Sequence, residues 1–135
     1  MRIGVTLAAL LLAGTAAAQE VEEIVPPAAF EALSEGKTLY FELFGRPFGA
    51  EQYFPGRRVR WQFAEGICQE GTWFAEGDAL CFSYDENPVP ICWYFLKRGG
   101  TYIARQVGQA PEDGELTLVR RDEEPLDCPG PDTGV

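Results

Sequence analysis

The spacing of apolar residues changes twice along the chain. From Ile3 to Ala13 apolar side chains follow one another with few breaks. Between 26 and 34 the spacing becomes helical: Pro26-Pro27 opens the segment, Phe30 and Leu33 share one stripe, and Gly36 stops it. Beyond Gly36 the period is two. Residues 38–44 read as a strand ended by Gly45-Arg46-Pro47, and 48–54 as a short or irregular strand because Gly49 interrupts its aromatic run. After the Pro55-Gly56 turn, residues 58–63 alternate. Val59, Trp61 and Phe63 point inward, and Arg58, Arg60 and Gln62 point to water. Residues 67–74, 79–84, 90–97 and 101–107 form a meander with turns at Glu76-Gly77, from Asp85 to Pro88, and at Gly99-Gly100. Residues 115–120 give the last strand, while 19–25 and 122–135 read as loop-like ends. The expected fold is mainly β: a small antiparallel meander sheet or barrel of six to eight strands with one short N-terminal helix, in a single domain over 19–135.

Strand register places the cysteines. A two-residue loop at Glu76-Gly77 sets Thr72 opposite Cys81, and a hairpin closing symmetrically around Glu86-Asn87 sets Cys81 opposite Cys92. Opposed cysteines on antiparallel strands can bridge, so the expected disulfides are Cys81–Cys92 and Cys68–Cys128. The rival pairing is Cys68–Cys81 with Cys92–Cys128. A four-thiolate zinc site is disfavoured because no two of these cysteines are closely spaced. The same register collects Trp73, Leu80, Phe82, Tyr84, Ile91, Trp93 and Phe95 on one face. That face is either a filled core or the wall of a pocket, and in the second case Trp61, Trp73, Tyr84 and Trp93 line it.

Residues 1–18 do not belong to this pattern. Arg2, an apolar run too short to span a bilayer, and Ala16-Ala17-Ala18 before Gln19-Glu20 read as a secretory signal peptide cut after Ala18. Thr15, not Cys, follows Gly14, which argues against a lipid anchor. No later run is apolar enough for a membrane span, and four cysteines suit an oxidising compartment. The expected location is the bacterial periplasm or the medium.

Composition removes several chemistries. The 135 residues carry 11 Lys and Arg against 21 Asp and Glu, a net charge of −10, and no His. Nucleophile–imidazole pairs and imidazole metal sites are therefore excluded, and a nucleic-acid partner is disfavoured. Ser83 has no base partner. In the stretch Arg57-Arg58-x-Arg60, Arg58 and Arg60 read as the solvated face of a strand and not as an anion site, and Lys97-Arg98 and Arg120-Arg121 read as turn and strand-end charges. The acids Glu42, Glu51, Asp85 and Glu86 are scattered over different elements, and neither 85–87 nor 122–124 matches a calcium loop. No catalytic residue, metal site or cofactor is assigned.

The block from Gly49 to Trp61, followed by Cys68-Gln-Glu-Gly-Thr-Trp73, Leu80-Cys-Phe-Ser-Tyr84, Cys92-Trp93 and Cys128-Pro-Gly-Pro, resembles an uncharacterised family of small secreted bacterial proteins with four cysteines. The resemblance runs from about Gly36 to the C-terminus and implies export and a disulfide-stapled β domain, but no activity. Gly71-Thr-Trp73 is also similar to the Gly-x-Trp of lipocalin-type barrels, although there it lies on the first strand. The functional expectation is a non-enzymatic periplasmic or secreted domain that binds a small apolar ligand or an envelope protein. The alternatives are a proteinase-inhibitor-like module inserting residues 19–27 and, behind it, a carboxylate-based hydrolase.

Overall fold

The structure, a computed structural model, describes Met1, Gly4 and residues 10–15 and 20–129. The cleavage motif at 16–18, much of the expected signal peptide and Gln19 lie outside the described residues. The elements are β1 (Glu22–Ile24), α1 (Pro27–Ser34), β2 (Thr38–Leu43), β3 (Arg46–Phe54), β4 (Arg58–Phe63), β5 (Cys68–Glu76), β6 (Ala79–Tyr84), β7 (Asn87–Arg98), β8 (Thr101–Gln106) and β9 (Leu116–Asp122). Each strand from β2 to β9 pairs antiparallel with the next, and β9 returns to β2. The sheet thus closes into an eight-stranded up-and-down barrel, leaving no free edge around its circumference. β1 is the extra strand: Glu22, Glu23 and Ile24 pair with Arg98, Lys97 and Leu96, on the stretch of β7 beyond its pairing with β6.

In this topology the β2–β3, β4–β5, β6–β7 and β8–β9 connections share one end of the barrel. The other end receives α1. Pro27 opens this eight-residue helix, which is too short to be stable alone. It is held by Phe30, which is buried and meets Tyr53, Trp73 and Phe95 edge-on at ring-centroid distances of 5.4, 5.5 and 4.8 Å. Gly36, at φ +76°, turns the chain out of the helix, and its N–H donates to the carbonyl of Tyr53.

Both expected disulfides are present, Cys81–Cys92 and Cys68–Cys128. The route to the first differs from expectation. The β5–β6 loop is Gly77-Asp78, so Phe74 lies opposite Cys81, and Thr72 lies opposite Ser83. Gly77 supplies the positive φ that this tight turn needs. The β6–β7 hairpin is not symmetric about Glu86-Asn87. It pairs Tyr84 with Asn87, and a bulge between Phe82 and Tyr84 shifts the register back to Cys81 opposite Cys92, with Cα atoms 4.0 Å apart. Gly49 does not break β3, which runs unbroken for nine residues. A Cβ there would sit 2.3 Å from the Trp61 ring, so the glycine makes room for an indole.

The C-terminal segment, expected as a loop pinned by Cys128, is a strap across four strands. Glu124 accepts from the Thr38 hydroxyl on β2, and Leu126 N–H donates to the Gln52 side chain on β3. The Gln62 amide on β4 donates to the carbonyl of Asp127, and Cys128 is bonded to Cys68 on β5. Among the described residues, no helix is long and apolar enough to cross a membrane.

Candidate functional site

The barrel is not packed solid. A cavity of about 580 Å³ runs down its axis and opens at the end opposite α1. Phe30, Tyr53 and Phe95 form its floor, and Trp61, Leu80, Phe82 and Tyr84 its middle wall. At the mouth stand Phe63, Gln69, Glu86, Asn87, Ile91 and Trp93, of which Phe63 and Ile91 are 45% and 38% exposed. Of the four aromatics expected at a pocket, Trp61, Tyr84 and Trp93 line the cavity. Trp73 does not: it lies outside it, with its ring against Phe30 and under the Arg57 guanidinium, 4.5 Å from the ring centre.

Local backbone features aim these side chains. Between β2 and β3 the register shifts so that Phe41 faces Gly49 and Glu42 faces Pro47, leaving Phe48 unpaired. Phe48 turns into the cavity and meets Trp61 and Phe63 at 5.8 and 5.6 Å. Gly71 does for Tyr84 what Gly49 does for Trp61. It lies directly opposite Tyr84, and a Cβ there would come within 2.9 Å of that ring.

One charged group sits within the wall. Glu51, on β3 between Leu39 of β2 and Trp61 of β4, is 2% exposed. The Tyr84 hydroxyl donates to its two oxygens at 2.9 and 3.2 Å. Loss of water raises the Glu51 carboxyl to about 8, and the tyrosine hydrogen bond only partly opposes this. At neutral pH the group is mostly protonated. Burial and the neighbouring Glu51 raise both Tyr53 and Tyr84, so both phenols stay neutral. A carboxyl group has acceptor sites for more than one hydroxyl, and Glu51 lines the cavity. Its selection from the scattered acids was invisible in sequence, because the parity of β3 depends on the bulge at Phe48.

The other candidate groups are engaged elsewhere. Arg57 pairs with Glu31, and Arg60 pairs with Glu70 while covering the Phe54 ring. Lys37 pairs with Glu123, and Arg120 with Asp122. Arg98 and Arg105 both grip Glu22 and Glu115, tying β1 to the barrel wall. Asp85 and Glu86 lie in the β6–β7 turn, and Glu42 faces outward from β2 beside Pro47 and Arg120. Among the described residues, the cluster of possible metal ligands is Glu76 with Cys81 and Cys92, whose thiols are consumed by their disulfide.

Compared with known proteins, the chain matches no protein family, no curated protein and no solved structure.

Proposed function

We propose that this protein is an exported, non-enzymatic carrier that holds one small, largely apolar molecule inside its barrel. The observation that carries this reading is the cavity: about 580 Å³, walled by aromatic rings, closed by α1 and open at one end. That volume falls within the range of small-molecule sites, and eight-stranded up-and-down barrels have the bore for one ligand. Export is supported by the two disulfides. The inserting-strand alternative draws no support from residues 22–24, which are hydrogen-bonded to β7. The hydrolase alternative draws none from Glu51, whose hydrogen-bond partner is a phenol and not a second acid.

The three tryptophans provide the test, because two line the cavity and one does not. Titration with the neutral fluorophore N-phenylnaphthylamine should quench tryptophan emission with a stoichiometry of about one per barrel. A variant carrying Trp61→Phe and Trp93→Phe should lose most of that quenching, and Trp73→Phe should keep it. No binding, or quenching that follows Trp73 alone, would refute the carrier.

A further inference from the structure

We propose that the ligand is an organic cation, an amine or quaternary ammonium group on an apolar body, with its charge held by Glu51 and the surrounding rings. The inference rests on the carrier reading and narrows its ligand.

Charge is the first argument. The lining contains two carboxyl groups, Glu51 and Glu86, and neither Lys nor Arg. A fatty acid or any other anion would enter past Glu86 and find no cationic counter-ion in the wall. The chain as a whole, at −10, raises the local concentration of cations and repels anions.

Geometry is the second. Glu51 lines the cavity, is buried, and has one hydroxyl donor on its two oxygens, which leaves acceptor capacity for a ligand. Trp61, Tyr84 and Phe82 line the same cavity, and aromatic rings hold ammonium groups by cation–π attraction. A bare metal ion is a poor fit, since hard cations need six or more oxygens and this wall supplies few. The titratable groups around the site are Tyr53 of β3 and Tyr84 of β6, which stay neutral, and Glu86 at the mouth.

Proton accounting makes the proposal measurable. At neutral pH Glu51 carries a proton in the empty barrel, and the ligand arrives already cationic. Pairing requires the carboxylate, so the Glu51 proton leaves to solvent while the amine keeps its charge. A neutral ligand releases none.

The test compares naphthylmethylamine, naphthylmethanol and naphthoate, which share one apolar body and differ in charge. Calorimetry in buffers of different ionisation heat gives affinity and protons released. The amine should bind about tenfold to a hundredfold tighter than the alcohol, the increment of a charge-assisted contact, and naphthoate should bind weakest. About one proton should be released per amine near pH 6, falling towards none above the Glu51 pKa. Glu51→Gln should abolish the amine's advantage over the alcohol and the proton release. The proton count on the unaltered protein needs no variant, so it decides the matter even if Glu51→Gln folds poorly. If the alcohol binds as tightly as the amine with no proton released, the cation assignment fails and the carrier stands. If none of the three binds, both fail.

Discussion

A carboxyl group walled in by rings is an unfavourable thing to fold, and Glu51 carries a measurable consequence. Below its ordinary value of 4.5 the group is protonated in folded and unfolded chains alike. Between 4.5 and about 8 the folded chain keeps a proton that the unfolded chain has released. Rising pH therefore favours unfolding across that window, by up to about 1.4 kcal/mol per pH unit, and the loss levels off above it. Glu22 and Glu123 act the other way, since their arginine and lysine partners lower them, but their effect falls below 4.5. Thermal melts of the ligand-free protein should thus show stability declining from about pH 5 to about pH 8. Glu51→Gln keeps an acceptor for Tyr84 without an ionisable group, so its curve should be flatter and the two should diverge by a few kcal/mol at the alkaline end. Parallel curves would mean that Glu51 is ionised at neutral pH. Nothing at residue scale in the sequence separates Glu51 from Glu42, Asp85 or Glu86. Its inward aim is fixed by one unpaired residue, Phe48, and a bulge leaves no mark on period-two alternation.

At the scale of elements, alternation was a good guide. Strands β4 and β6 fall where the pattern puts them, and β2, β5, β8 and β9 within about two residues. Two features escaped it. Gly49 makes room for the indole of Trp61 on the neighbouring strand β4, and the β6–β7 hairpin is reset by a bulge within its own pairing, and neither leaves a mark on the alternation. The helix was legible from Pro26-Pro27 and Phe30, but its role was not: a stripe of apolar residues says that something is covered, not what. The structure shows α1 as the floor of the cavity, with Phe30 wedged among Tyr53, Trp73 and Phe95. Phe30→Ala removes that wedge and should destabilise the barrel by about 3–5 kcal/mol in urea unfolding. Leu33, only partly buried, should cost less when cut to alanine. A loss below about 1 kcal/mol for Phe30→Ala would recast α1 as a detachable flap and the barrel as open at both ends.

For the molecule as a whole, the two disulfides divide the work between site and frame. Cys81–Cys92 joins neighbouring strands already paired along their length and closes a separation of 11 residues. Cys68–Cys128 closes 60 residues, and it does so at the end of a strap hydrogen-bonded to β2, β3 and β4. A longer closed loop takes more conformational freedom from the unfolded chain, so the second bond should contribute more, on the order of 2–4 kcal/mol. The strap runs along the outside of the wall, and none of its residues lines the cavity. Replacing Cys68 and Cys128 together by serine should therefore lower the melting temperature by about 10–25 °C while leaving the affinity for N-phenylnaphthylamine almost unchanged well below the melt. Separate effects on stability and binding would locate the function inside the barrel and make the tail a brace. A fall in affinity that tracked the loss of the bond would show instead that the strap shapes the pocket through β3, the strand that carries Glu51.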